Sequence, residues 1–260
     1  MDNLFVDSAQ INKENTIFIL GNGASLKDVM YDSKKLDILR EYSTFSSNAA
    51  YRKYEELNFY PTYFACHDPK LIATHMNEFK RLIHESSIKK FFFLTVLPEG
   101  LEFSKEDVSH DKFQKIGWYF KNDRPPSEYY HSTFEKYCYV PSTGANTAIM
   151  SMIMGYKNII LLGCDCNYVE FIKECKSIND PKLHELLITE TPQTNPNYWF
   201  DDYQKKGDTY SIPGTSGHMA AWETVYNASK YHNVNIINIS STSQIPFFKK
   251  LTFDEFIKNI

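Results

Sequence analysis

The stretch Thr16 to Asp28 (Thr-Ile-Phe-Ile-Leu-Gly-Asn-Gly-Ala-Ser-Leu-Lys-Asp) constrains the fold more than any other part of the chain. Its β-branched and apolar residues from Thr16 to Leu20 suit a buried strand, and the run breaks at Gly21-Asn22-Gly23. Ser25, followed three residues later by Asp28, reads as a helix start of the Ser-x-x-Asp kind. Strand, tight turn and helix in that order form the opening unit of an α/β sheet. Glycines let the backbone approach a ligand, and a helix N-terminus offers unpaired N–H groups and partial positive charge to an anion. The turn keeps part of the G-x-G-x-x-G fingerprint, since Leu26 stands where its third glycine would be. A nucleotide cradle is the sharper reading and a structural βα turn the plainer one.

The rhythm repeats. Tyr42 to Ser47 reads as a second strand ending at Asn48, before a helix-like run from Ala49 to Leu57. Thr62 to Cys66 is a third, followed by His67-Asp68-Pro69 and an amphipathic stretch from Leu71 to Ile83, and Lys89 to Leu97 is a fourth. Ligands of open parallel sheets sit beyond the carboxyl ends of the strands, which would align Gly21, Asn22, Asn48 and Asp68 along one rim. Helix capping is the alternative role for Asn48 and Asp68. Residues 98–138 are loop-rich around Pro125-Pro126, with one short strand expected between Lys115 and Phe120. Pro141 to Asn146 then precede a helical run from Thr147 to Met154, which Gly155 stops before a buried strand from Asn158 and the polar end Gly163-Cys164-Asp165. Ser142, Thr143 and Gly144 could cradle a ligand at that helix start. Asn233 to Ser241 closes the sheet as a last strand, with Ser240 to Ser243 at the nucleotide pocket, and Leu251 to Ile260 is a short amphipathic tail.

Two segments depart from this rhythm. Residues 166–213, with several prolines and the cluster Tyr198-Trp199-Phe200-Asp201-Asp202-Tyr203, make a long excursion beside the presumed rim, a common place for a lid. Gly214-Thr215-Ser216-Gly217-His218 then opens a helix with Met219, Trp222, Val225, Tyr226 and Ser229 at helical spacing. A histidine in a first helical turn feels the positive end of the dipole, which favours the neutral imidazole and makes His218 a candidate base.

Bulk properties narrow the function. At 260 residues the chain suits one large α/β domain carrying a lid. A formal net charge of −4 supplies no basic field for nucleic acid. The cysteines, Cys66, Cys138, Cys164, Cys166 and Cys175, are odd in number and lack framework spacing, which points to a reducing cytoplasm. No apolar run reaches the roughly 20 residues of a membrane span, and the N-terminus lacks a signal-peptide pattern. Cys164-x-Cys166 with His67-Asp68 falls short of a zinc site, so no metal is expected.

The blocks Gly21-Asn22-Gly23-Ala24-Ser25-Leu26-Lys27, Ser142-Thr143-Gly144, Gly155 to Asp165 and the late Gly217-His218 resemble, in order and approximate spacing, the bacterial sialyltransferases of glycosyltransferase family 42. The flagellin-modifying motility accessory factors share the opening glycine turn. The resemblance spans residues 16–245 in pattern and is specific only in these blocks. It implies a Rossmann-like domain with a mostly parallel sheet, helices on both faces and a lid, binding cytidine monophosphate (CMP) sialic acid without a metal. By similarity, Asn22, Asn48, Asp68, Ser142, Thr143 and Asp165 fall at donor contacts, joined by Gly21, Gly23, Ser25, Gly144 and Ser240, although Asp68 replaces an asparagine. A pair of lid tyrosines would stabilise the departing phosphate, for which Tyr168 and Tyr198 match best, with Tyr203 and Tyr210 as competitors. Asn167 aligns with the first of that pair more naturally than Tyr168 does. His218 matches the family base. Val140 stands where the family has an acceptor-side arginine, which leaves the acceptor and linkage open.

The expectation is a cytoplasmic, inverting, metal-independent transferase. It would take a CMP-sugar donor and a glycan acceptor of the bacterial surface such as lipooligosaccharide. A peripheral contact with the inner membrane and self-association stay open, as does which nonulosonic acid is transferred. Two alternatives are a nucleotide-binding module without catalysis and a pterin diphosphokinase-like enzyme, which shares the glycine turn and needs magnesium.

Overall fold

In the computed structural model of the chain, residues 11–94, 100, 102–119, 127–168, 175–177, 185–212 and 214–258 are described. The first half runs β1 (Thr16–Leu20), α1 (Lys27–Met30), α2 (Ser33–Arg40), β2 (Ser43–Ser47), β3 (Tyr63–Cys66), α3 (Pro69–Glu85), β4 (Lys90–Phe93), α4 (Lys105–Ser109), β5 (Trp118–Tyr119), α5 (Ser127–Tyr130) and β6 (Tyr137–Cys138). The second half runs α6 (Thr143–Ile153), β7 (Asn158–Leu162), β8 (Cys175–Ser177), β9 (Glu185–Ile188), β10 (Thr209–Ser211), α7 (Thr215–Tyr231), β11 (Asn235–Asn238), β12 (Lys249–Lys250) and α8 (Phe253–Lys258).

A seven-stranded sheet takes the order β12-β11-β7-β1-β2-β3-β4, and its pairings are all parallel. The chain steps outward from β1 to β4, then returns to β7 on the other side of β1. A Rossmann-like α/β fold built this way leaves a crevice at the switch point, beyond the ends of β1 and β7. The pleat explains the apolar runs: Phe18 and Leu20 of β1 enter a core shared with α2, α3 and α8. Ile17 and Ile19 enter a second core with α6 and α7 on the opposite face. Helices therefore cover both faces.

Local chemistry moved several expected boundaries. Helix α6 begins at Thr143 rather than Thr147 because Ser142 caps it, its Oγ accepting from the Ala145 N–H at 3.4 Å. The Asn146 amide holds the entering chain, donating to the carbonyls of Val140 at 2.6 Å and Ser142 at 2.9 Å. Ser25 does not cap the first helix, which opens through a 3₁₀ turn at Ala24–Leu26 without any side-chain cap. β11 does not close the sheet, since β12 pairs beyond it. The fourth strand is described only as Lys90–Phe93, and residues 95–97 of the expected run lie outside the described residues. The strand expected near Lys115 is the short β5, paired with β6 apart from the main sheet. In α7, Trp222, Val225 and Ser229 are buried as the spacing predicts, joined by Ala221 and Ala228.

The excursion after β7 contains a separate antiparallel sheet, β10-β9-β8. It is fastened to the body by a buried ion pair. Both guanidinium nitrogens of Arg52 donate to Asp208, at 2.7 and 2.9 Å, and one also donates to the Tyr203 carbonyl at 2.6 Å. His75 of α3 lies 3.0 Å from the same carboxylate and is held on its other side by the Tyr51 hydroxyl at 3.1 Å. Burial alone would raise the Asp208 carboxyl, but the His75 and Arg52 hydrogen bonds hold it at about 2.

Asp208→Asn is expected to destabilise the protein by about 3 kcal/mol, since it strands a buried guanidinium. The Asp208 folded value lies below the ordinary 3.8, so its contribution is fully present above that pH and is lost as pH falls toward 2. Denaturant unfolding of both proteins should show the gap constant at pH 5 to 7 and closing at the acid end. A gap independent of pH would show that the carboxylate charge is not what anchors the excursion.

Candidate active site at the carboxyl ends of the strands

Two glycine turns meet at the switch point. The Gly21 N–H donates to the Leu162 carbonyl at 2.8 Å and the Gly23 N–H to the Gly163 carbonyl at 2.9 Å. A Cβ on Gly21 would lie 2.3 Å from the Gly163 oxygen. Gly163, at φ +70°, has its own missing Cβ 2.7 Å from the Gly21 oxygen. Only glycine permits this approach. Asp165, at the end of the same β7 turn, accepts from the Ser25 N–H at 2.9 Å and from the Ser25 hydroxyl at 2.5 Å. The turn is thus not an open anion cradle, because a carboxylate already occupies the Ser25 donors. Ser25 acts by locking Asp165.

Beyond this lock lies a cavity of about 700 Å³. The ends of β7, β1, β2 and β3, neighbours in the sheet, contribute Asp165, Asn22, Asn48 and Asp68, and the start of α6 contributes Ser142, Thr143 and Gly144. Asn22 donates its amide to the Ser47 carbonyl at 3.1 Å, while its buried Oδ1 has no partner among the described residues. The Asn48 Oδ1 is likewise buried and unpartnered, and Asn48 holds φ +58°. Asparagine tolerates that left-handed backbone better than most residues, so the strand end turns here and leaves an acceptor unmet. Asp68 does cap α3, accepting from the Lys70 N–H at 2.9 Å, and it also accepts from the Ser211 hydroxyl of β10 at 3.1 Å. It serves as cap and as cavity wall together.

Tyrosines from the excursion complete the wall. Tyr198 stacks on Tyr203 with ring centroids 4.0 Å apart at 9°, and both line the cavity with Tyr168 and Tyr210. Burial pushes the phenols of Tyr198, Tyr203 and Tyr210 upward, so they remain hydrogen-bond donors at neutral pH. Tyr168 sits at the mouth with 36 % of its surface open, its ring 6.0 Å from the ring of His218. The crowding around its hydroxyl still raises that phenol, first by burial and then by Tyr198. Asn167, the competing match for the first lid tyrosine, lines the same cavity. His218 lies in the first turn of α7, its N–H donating to Gly214 at 2.9 Å, and burial lowers its imidazole below the ordinary 6.5.

Ser240 does not reach the cavity. It is buried behind the wall, where its Oγ accepts from the Cys164 N–H at 3.0 Å, and the Ser243 hydroxyl donates to the Cys164 carbonyl at 2.8 Å. Both brace the β7 turn from behind. The cavity also takes residues outside the expected set, notably His67, Tyr139 and Trp222. His67 is 2 % exposed, and burial drops its imidazole to about 3, so it is neutral throughout the physiological range. Its position beside Asp68 at the end of β3 was the available sign. Tyr139, raised by burial to about 12, follows β6, a strand too short to show periodicity. Among the described residues no three His, Cys, Asp or Glu side chains gather as a metal site, and no helix is long and apolar enough to cross a membrane.

Comparison with known proteins bears on the fold. No family model matches the chain, and no curated protein does. Among solved structures, a MAf glycosyltransferase from Magnetospirillum magneticum AMB-1 aligns with a TM-score of 0.51 at 15% identity, over 96% of this chain and 37% of that one. The chain thus spans little more than a third of that protein's length. The monofunctional alpha-2,3-sialyltransferase Cst-I from Campylobacter jejuni aligns with a TM-score of 0.47 at 18% identity, over 95% of this chain and 83% of that one. At such identity the MAf likeness is one of fold.

Asn48→Gly should preserve the left-handed turn, whereas Asn48→Ala should be less stable than the glycine variant by about 1 kcal/mol, the cost of placing a Cβ in that conformation. Urea unfolding of the two variants measures the difference. Equal stabilities would mean that the turn relaxes to negative φ when the amide is removed.

Proposed function

We propose that the chain is an inverting, metal-independent glycosyltransferase. It transfers sialic acid or a related nonulosonic acid from a CMP donor to a glycan acceptor, in the cytoplasmic assembly of a bacterial surface glycan such as lipooligosaccharide. The observation that carries this reading is that one cavity combines unmet buried acceptors on Asn22 and Asn48, tyrosine donors and a histidine kept neutral by burial. The likeness of fold to a glycosyltransferase and the block resemblance support it.

The geometry suggests a division of labour. Because Asp165 fills the Ser25 donors, the glycine turn suits the uncharged base and ribose rather than the phosphate. Unmet amide oxygens on Asn22 and Asn48 call for ligand N–H or O–H groups, which cytosine supplies with its exocyclic amine at the position where uracil presents a carbonyl oxygen. The start of α6, with the Ser142 hydroxyl and the first N–H groups of the helix at Thr143 and Gly144, suits the sugar carboxylate. His218 removes the acceptor hydroxyl proton as that oxygen attacks the anomeric carbon from the face opposite the phosphate. The glycosidic C–O bond forms, the C–O bond to phosphate breaks, and CMP leaves with the bonding electron pair. Tyr168 and Tyr198 donate to the charge building on the phosphate, and the excursion 166–213 acts as the lid that brings them there.

CMP is expected to raise the melting temperature more than uridine or adenosine monophosphate does, with chelator present. Equal shifts, or a strict magnesium requirement, would remove the sialyltransferase reading. Turnover separates an enzyme from a binding module: CMP should be released slowly from CMP-N-acetylneuraminic acid even when water is the only acceptor. Tight donor binding without any release would support the module.

His218→Ala should lower transfer by about 10²- to 10⁴-fold with donor affinity nearly unchanged. Activity should fall with decreasing pH through a pKa below the ordinary 6.5, because protonation removes the base and burial shifts its imidazole downward. A near-normal rate in His218→Ala would move the base to another residue.

A further inference from the structure

A second, more open pocket of about 430 Å³ lies against the same tyrosine-rich turn. Tyr198 and Tyr203 of that turn line the reaction cavity, whereas Trp199, Phe200, Asp201 and Asp202 between them line the second pocket. One short piece of chain is therefore a wall common to both. The opposite side of the second pocket comes from Lys27 and Tyr31, in the helical segment that follows the glycine turn.

The chemistry of this pocket is distinctive. Tyr31 is 48 % exposed, unusual for a large aromatic residue, and its ring tilts over Trp199 at 5.9 Å. Trp199 is buried, yet among the described residues its indole N–H has no acceptor. Buried donors are nearly always paired, so an unmet one in a pocket wall marks a place where a ligand oxygen is favoured. The charges lining the pocket balance: Lys53, which lies over Phe200 and 3.4 Å from Asp202, and Lys27 are offset by Asp201 and Asp202. Neither a phosphate nor a polyamine gains from a wall without net charge. A neutral pyranose does, because it lays a C–H face on an aromatic ring while its hydroxyls exchange hydrogen bonds with carboxylates, ammonium groups and an indole N–H.

Resting on the glycosyltransferase reading, we propose that the pocket between Tyr31 and the Trp199–Asp202 wall is a subsite for a neutral sugar residue of the acceptor glycan. It lies one turn of chain away from the cavity where transfer occurs. The subsite would hold an inner sugar while the acceptor hydroxyl enters the reaction cavity.

Saturation-transfer NMR on the full chain without nucleotide tests this, with glucose, galactose, N-acetylglucosamine and lactose as probes and citrate and spermidine as charged controls. At least one neutral sugar should receive saturation, falling at least about fivefold in Tyr31→Ala, persisting in Tyr31→Phe, which keeps the ring, and persisting in His218→Ala. Absence of any neutral-sugar signal, a signal only from the charged probes, or a signal undiminished in Tyr31→Ala would overturn the subsite. Stabilisation by CMP is measured separately. Sugar binding at Tyr31 without a CMP response would remove the donor reading and leave a sugar site, whereas a CMP response without sugar binding would remove the subsite alone.

Discussion

The close approach of Gly21 to Gly163 is the constraint on which the rest of the site depends. With backbone atoms where two side chains would otherwise stand, β1 and β7 end in turns that hydrogen-bond to each other rather than splaying apart. That contact puts Asp165 beside Ser25, and the carboxylate then completes the lock by taking both Ser25 donors. Ser240 and Ser243 reinforce it from behind by holding both sides of the Cys164 peptide unit. The Ser25 donors at the switch point are consequently already taken by a carboxylate, and anion binding must be found elsewhere along the rim.

What remains available beside the lock is a set of polar atoms in surroundings that make them consequential. Among the described residues, the buried oxygens of Asn22 and Asn48 have no donors, a state that costs free energy and is relieved by a ligand offering N–H or O–H groups. Burial acts on the ionisable groups in one direction throughout. It raises the phenols and lowers the imidazoles of His67 and His218, so the tyrosines and histidines of the wall are neutral donors and neutral bases. Charge developing on a substrate would meet oriented dipoles rather than mobile counter-ions, which is the favourable arrangement for group transfer.

The excursion is tied to this rim in two different ways. The Arg52–Asp208–His75 network is buried and multiply bonded, whereas the link from Ser211 to Asp68 is exposed and lies at the cavity edge. A strongly anchored base with a weakly held edge allows local opening at the cavity without loss of the whole fold. The same stretch presents Tyr198 and Tyr203 to one pocket and Trp199 to Asp202 to the other, so displacement of that wall would be felt on both sides.

The main sheet was legible in the chain because strands buried on both faces are mostly apolar and end in polar residues, and β1, β3 and β7 do so. The same pattern predicted the rim of Gly21, Asn22, Asn48 and Asp68, since strand ends in a parallel sheet fall on one edge. Local spacing carries no information about which distant group takes a donor. Ser25 therefore read as a helix cap when Asp165 claims it, and Ser240 as a pocket residue when it buttresses a turn. Tyr139 and the Arg52–Asp208 pair were invisible for the same reason, since their partners or their cavity come from segments far apart in the chain. Periodicity and turn chemistry are properties of neighbours along the backbone, and they determined the elements and their polar ends. Burial, orphaned acceptors and shifted protonation arise only when separate segments exclude water together, and the tertiary structure decided those.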